Sequence, residues 1–252
     1  LTESRQTELS AFVALLRNAR ETLTPLESIP DAIAPTTDDE ALWVQTELAA
    51  AFGPIGGWKV GAGTPTAIPA CGPIPFAWLH PSASTIPNSR FRGLEAEVAF
   101  LLGSDLPPRA TPYADAEVLA AIASCHPAIE ILESAFPDPT TVPKLIGTAD
   151  LQNHGGFVYG PAYPDWQPID FTQETVVLSI NGTEEITRTG SNTSGNLLRL
   201  LPWLANQSAR TGGLRAGQWI TTGSWTGALP APALATAEVR FGTLGSVTLT
   251  FV

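Results

Sequence analysis

The sequence predicts an α+β fold: a short helical N-terminal region (residues 1–54) leading into a β-rich body (residues 55–252). Three features predict it. Apolar residues recur at helical spacing in the first fifty positions. After residue 55 they give way to short β-branched and aromatic runs. Gly, Pro and Asn punctuate those runs as strand-connecting turns require.

The first helix covers residues 3–22, where Leu9, Phe12, Val13, Leu16 and Ala19 form a stripe with charges on the opposite face. Pro25 and Pro30 break it. A second helix starts at Thr37 or Asp38, either of which can cap free backbone N–H groups. Glu40 falls in its first turn, Ala41, Leu42, Val44 and Leu48 form its stripe, and Gly53-Pro54 closes it. Strands are expected at Trp58–Val60, Leu94–Leu102, Ala128–Leu132, Gly156–Tyr159, Thr175–Ile180, Trp219–Thr222, Ala237–Phe241 and Ser246–Val252. Asn181-Gly182 marks a tight turn between strands. Two embedded helices are expected near Ala114–Ser124 and Asn196–Arg210, with no internal repeat.

Net charge is −11, and no basic run interrupts it, which argues against nucleic acid as a partner. Cys71 and Cys125 lack C-x-x-C spacing and read as buried, reduced thiols. No apolar stretch reaches the roughly 18 residues of a membrane span. Charged residues at helical spacing through the first thirty positions do not resemble a signal peptide. The expectation is a cytoplasmic protein with no membrane partner.

The segment Arg92-Gly93-Leu94-Glu95-Ala96-Glu97-Val98-Ala99-Phe100 carries the chemistry. In a strand, Leu94, Ala96, Val98 and Phe100 share one face, and Glu95 and Glu97 project from the other, about 6.6–7 Å apart along the chain. A hard divalent ion would resolve their repulsion; a solvent-wetted strand face would do so equally. In Pro127-Ala128-Ile129-Glu130-Ile131-Leu132 a single carboxylate interrupts an apolar run, where it needs a cation, a positive side chain or a proton. Arg92 is one candidate partner for Glu130. A three-carboxylate set would hold Mg2+ or Mn2+ with positions left open for substrate.

These segments resemble the 2-keto-4-pentenoate hydratase / 4-oxalocrotonate decarboxylase group of the fumarylacetoacetate hydrolase superfamily. Gly57-Trp58-Lys59-Val60-Gly61 is similar to its "WKVG" segment, Leu94–Phe100 to its E-x-E strand and Pro127–Ile131 to its "PA-E-I" segment. Ala149-Asp150 followed by Gly155 resembles its "AD…G" loop. Asn181-Gly182, Trp203-Leu204-Ala205-Asn206, Leu214-Arg215-Ala216-Gly217, Thr222-Gly223-Ser224 and Leu244-Gly245-Ser246-Val247 follow in order, so the resemblance spans residues 55–252.

The resemblance implies a mixed β-roll core, homo-oligomers, and Mg2+ or Mn2+ held by Glu95, Glu97 and Glu130 against a small 2-oxo acid. It implies hydration of a 2-hydroxy-2,4-dienoate through an enolate whose charge the metal stabilises, or decarboxylation of 4-oxalocrotonate on the same site. Lys59 matches the family lysine near the substrate, where a catalytic role would need its pKa lowered. Ser224 matches a loop that can approach the substrate; an ordinary strand-end turn is the alternative. Asp150 either orients substrate or caps a turn.

Two departures stand out. Where hydratases often carry the Asp of a P-D-F-G segment, this chain reads Pro69-Ala70-Cys71-Gly72. The family's "ADNAS" loop reads Ala149-Asp150-Leu151-Gln152-Asn153. His154, beside that loop, is a candidate acid or base, a solvated loop histidine being the plainer reading. His80 and His126, each before a proline, read as structural. The departures also motivate a non-enzymatic reading, a degenerate binding or assembly subunit. The segments of the superfamily's C–C hydrolase branch are missing.

Overall fold

The computed structural model describes residues 1–87 and 89–252. Helix α1 (Glu3–Thr22) is capped by Thr2, whose hydroxyl accepts from the Arg5 N–H at 3.3 Å. Helix α2 (Asp38–Ala51) is capped by Thr37, which accepts from the Glu40 N–H at 3.2 Å. Each cap satisfies a first-turn donor that has no partner within the helix. The stripe read from the sequence is the buried face: Leu9, Phe12, Leu16, Ala41, Val44 and Leu48 are fully enclosed. Burial of a side chain of this kind is worth about 2 kcal/mol. The two helices share their core with Ala135, Phe136, Ile146, Ala149 and Leu151, so residues 135–151 fasten the helical pair to the body.

The body is built from two mixed sheets. Its strands are β1 (Ile55–Gly61), β2 (Ala70–Pro75), β3 (Leu79–Pro81), β4 (Ser84–Ile86), β5 (Gly93–Leu102), β6 (Ile122–Leu132) and β7 (His154–Tyr159). They continue with β8 (Thr175–Ile180), β9 (Thr183–Thr189), β10 (Trp219–Ser224), β11 (Leu229–Pro230), β12 (Thr236–Phe241) and β13 (Gly245–Phe251). One sheet runs β2-β1-β10-β5-β6-β7-β3, with β11 on β5; the other runs β4-β13-β12-β8-β9. Pairing is antiparallel except for β1·β10, β3·β7 and β4·β13. Leu94, Ala96, Val98 and Phe100 of β5 pack with Val176 and Leu178 of β8, Val239 of β12 and Leu249 of β13 in one core between the sheets. This leaves the opposite face of β5, the glutamate face, for the site.

Two helical expectations are corrected. The helix expected over 114–124 is α3 (Asp115–Ala120), because β6 begins at Ile122: Ser124 and Cys125 pair with Leu101 and Phe100 of β5, and this pairing overrides local preference. Pro127 masks this strand in the sequence; it lies opposite Val98, and its carbonyl accepts from the Gly160 N–H at 2.8 Å. The helix expected over 196–210 is interrupted, with a 3-10 turn at Leu197–Arg199, α5 (Leu200–Ala205) and α6 (Ser208–Thr211). Pro202 falls in the first turn of α5, where its missing N–H costs that helix nothing. It cannot bond back to residue 198, so α-helix does not continue into α5 from Leu197–Arg199. Between β6 and β7 lies a further short helix, α4 (Lys144–Ala149), which packs on α2. Strands β2 and β3 carry Pro73, Pro75 and Pro81, which hide their alternation. No helix among the described residues is long and apolar enough to cross a membrane, and both cysteines are buried and free.

Candidate metal centre

Register creates the cluster. In the β5·β6 pair, Glu95 lies directly opposite Glu130, and Glu97 follows two residues along the same face. One carboxylate oxygen from each of Glu95, Glu97 and Glu130 lies within 4.8 Å of the others. Glu97 and Glu130 are each 1% exposed, so the wetted-strand alternative does not describe them.

A bulge in β10 supplies the partners of Glu97. The β10·β5 register shifts between Thr221 and Ser224, with Gly223 at φ +85°, where a side chain would strain the backbone. The shift aims both the Thr221 hydroxyl and the Gly223 N–H (3.1 Å) at Oε2 of Glu97. It also sets Ser224 opposite Glu97, at the edge of the same cavity.

Lys59 reaches the cluster across the sheet. It lies on β1, three strands from β6, a span of about 14 Å in a flat sheet. Its Nζ is nevertheless 2.6 Å from Glu130 Oε1 and 3.2 Å from the Gln152 carbonyl, so this face of the sheet curls inward. The expected Arg92–Glu130 pair does not form: Arg92 donates instead to the carbonyls of Ser89 and Ala231. A cavity of about 280 Å³ opens over the group, lined by Lys59, Ala70, Glu95, Glu97, Glu130, Gln152, Thr193 and Ser224, with small residues between them.

Electrostatics sorts the carboxyls. Burial, aided by the negative charge of Glu130, pushes Glu95 up to about 7 against the pull of Lys59 and Ser224. Burial, with Glu130 and Glu95 beside it, lifts Glu97 well above the usual carboxylate range. Burial acts on Glu130 as well, but Lys59 and His154 outweigh it and hold it down at about 2. The lysine departs from expectation. Burial favours its neutral form, yet Glu130, Glu97 and Glu95 keep its pKa above the ordinary value, so among these carboxylates it is a firm ammonium. The sequence asked for a lowered pKa; three acids converging on one cation produce the opposite.

Two expected site residues are placed elsewhere. Asp150 does not face the cavity. It is fully enclosed; its Oδ1 accepts from Arg20 Nε at 2.6 Å, and its Oδ2 accepts from the Ser134 hydroxyl and the Ala135 N–H, each at 2.8 Å. With these donors in place it ties α1 to the body rather than orienting a substrate. His154 is neither solvated nor part of the cavity lining. It is 0% exposed, and its Nδ1 lies 2.7 Å from Glu130 Oε1, so its contact is with a carboxylate of the cluster and not with a substrate position. His126, read as structural, is buried between Ser124 and the Gly160 carbonyl. Thr221, Thr193 and Gln152 carried no local signal as site residues. Gln152 belongs to a run, Leu151, Gln152 and Asn153, in which all three residues have positive φ (52–60°), a left-handed turn without glycine that sequence pattern does not reveal.

No family model matches the chain. A 2-keto-4-pentenoate hydratase of Paraburkholderia phymatum is 28% identical over 263 residues, covering 99% of this chain and 98% of the relative. A 2-oxo-hept-4-ene-1,7-dioate hydratase of Escherichia coli is 30% identical over 180 residues, 67% of this chain and 66% of the relative. A solved 4-oxalocrotonate decarboxylase of Pseudomonas putida G7, complexed with magnesium and adipate, superposes with a TM-score of 0.84 at 24% identity, covering 100% of this chain and 99% of that one. With calcium and acetate bound, the same enzyme gives a TM-score of 0.82 at 25% identity, with the same coverage. The mixed sheets with N-terminal helices are a fold shared with solved members of the fumarylacetoacetate hydrolase family. Homologues of the chain thus include 2-keto-4-pentenoate and 2-oxo-hept-4-ene-1,7-dioate hydratases and a 4-oxalocrotonate decarboxylase.

Proposed function

We propose that the protein is a divalent-metal-dependent hydro-lyase that adds water to a 2-hydroxy-2,4-dienoate of the 2-keto-4-pentenoate type, using Mg2+ or Mn2+ held by Glu95, Glu97 and Glu130. One observation carries the reading: three carboxylates, two of them buried, converge where Lys59 is the single cation among the described lining residues. That charge imbalance suits a hard divalent cation, and an all-oxygen donor set is what such a cation prefers. When bound, the cation supplies a Lewis acid for the oxygens of a 2-oxo acid and counter-charge for the carboxylates.

The chain's own groups do the rest. Lys59 presents positive charge and a proton at the cavity wall, with its ammonium held between Glu130 and the Gln152 carbonyl. Ser224 adds a hydroxyl to the same lining, beside Glu95. Glu97 is held rigidly by Thr221 and Gly223. A mixed β roll, a homo-oligomer and a cytoplasmic location complete the reading on the strength of the family resemblance.

Decarboxylation on the same site is the second reading, favoured by the superposition with the decarboxylase. The lining weighs against it. Among the described lining residues Lys59 is the sole cation, and it is already bonded to Glu130, so a second substrate carboxylate would find no partner there. With Mg2+ or Mn2+ present, the protein is expected to consume the ultraviolet absorbance of 2-hydroxypenta-2,4-dienoate without releasing CO2, and EDTA to stop it. Release of CO2 from 4-oxalocrotonate at a matching rate would move the assignment to the decarboxylase. A non-enzymatic subunit would take up neither metal nor 2-oxo acid.

Lys59→Met is expected to lower kcat by about a hundredfold or more, the usual contribution of a positioned acid–base group. Mn2+ affinity should hold or rise, because the cation no longer competes with an ammonium for Glu130. An unchanged kcat would remove Lys59 from the reaction.

A further inference from the structure

We infer that His154 is a positioning residue for the metal site: its Nδ1–H, with Lys59, occupies one oxygen of Glu130 and thereby fixes which oxygen the carboxylate offers to a cation. The inference rests on the reading of Glu130 as a metal ligand, and it goes further by naming what aims that ligand.

A carboxylate oxygen has two lone-pair directions. At Oε1 of Glu130 both are taken, by Lys59 Nζ at 2.6 Å and by His154 Nδ1 at 2.7 Å. Oε2 accepts no hydrogen bond from the described residues, so it is the oxygen whose lone pairs are left for a cation. The imidazole can do this in one form only. Its Nε2 is buried without a partner among the described residues, so a proton there would be a stranded donor, and the proton belongs on Nδ1, pointing at the carboxylate.

The backbone around His154 is itself fixed. Arg20 of α1 donates to the His154 carbonyl at 2.8 Å and to the carbonyls of Asp150 (2.8 Å) and Glu133 (3.1 Å). Trp78 lies against the ring, with centroids 5.8 Å apart. On the other side of His154, a Cβ added at Gly155 would come within 2.4 Å of the Glu133 side chain, so the chain there sits hard against β6. The left-handed turn at residues 151–153 enters directly before it and delivers two contacts in succession, the Gln152 carbonyl to Lys59 and the His154 ring to Glu130. The segment that departs from the family loop thus serves one carboxylate oxygen twice, directly through His154 and by way of Lys59 through Gln152. Partners that orient a metal ligand in this way are worth about 10- to 100-fold in metal affinity.

The test compares three substitutions by the Mn2+ affinity of the full chain, read by calorimetry or by the electron paramagnetic resonance of free Mn2+, without turnover. His154→Asn puts an amide N–H where Nδ1 stands. His154→Leu has the shape of Asn but no donor, and His154→Gln carries its donor at the Nε2 position. Asn is expected to stay within about threefold of the parent, and Leu and Gln to weaken Mn2+ by about 10- to 100-fold. Wild-type affinity in the Leu or Gln variant would overturn the inference, as would Asn binding no better than Gln. Should Leu fail to fold, the Asn–Gln pair decides alone, because both are polar and differ only in where the donor sits. Failure of the parent protein to bind Mn2+ would instead remove the metal reading itself, and the inference with it.

Discussion

Glu97→Gln is expected to abolish divalent-cation binding and to lower turnover by about a thousandfold or more. Loss of the several kcal/mol of charge stabilisation a cation supplies corresponds, at about 1.36 kcal/mol per decade, to at least that factor. The substitution keeps an oxygen to accept from Thr221 and Gly223 and removes only the charge, so the fold is retained. The metal-free protein should become more stable, because one of three mutually repelling buried acids is gone.

The pH dependence gives an independent check. The Glu95 carboxyl, ordinarily near 4.5, is pushed up to about 7 in the folded chain, so between those values the folded state holds a proton that the unfolded state has lost. Stability of the metal-free protein therefore falls as pH rises through that window. Glu97, raised in the same direction, deepens the fall. Thermal melts in EDTA across pH 5 to 8 should show a shallower decline in Glu97→Gln than in the parent. A variant that still binds Mn2+ and turns over substrate would end the assignment of Glu97 as a ligand.

Arg20→Met is expected to cost about 3–5 kcal/mol of stability, the usual result of removing one partner from a buried ion pair. Asp150, fully enclosed, would keep the hydroxyl of Ser134 and the N–H of Ala135 but lose its counter-charge. The carbonyls of Glu133, Asp150 and His154 would lose a donor at the same time. For a chain of this size the shift in Tm should be about 10 °C, and adding Asp150→Asn should recover part of it. A loss below about 1 kcal/mol would show that the pair does not hold α1 to the body.

Much of this architecture is legible along the chain. The stripes of α1 and α2, the Thr37 cap of α2 and the strand at Thr175–Ile180 follow from periodicity and punctuation alone. Glu95 and Glu97 can be placed on one face because strand alternation is a local property. Glu130 is conspicuous because a lone acid in an apolar run demands a partner. Strands broken by proline, such as β2 and the first half of β6, are hidden because their pairing is set by neighbours and not by composition.

The sequence by itself determined the two N-terminal helices, the strands that proline does not interrupt, the paired glutamates and the resemblance they carry, since each depends on residue type and short-range spacing. Tertiary structure alone decided what meets what. The curl that brings Lys59 across three strands, the enclosure of Asp150 by Arg20, and the turn of His154 onto Glu130 all join residues between 24 and 130 positions apart. Such contacts are selected by the free energy of the whole packed core, which no local window of sequence contains.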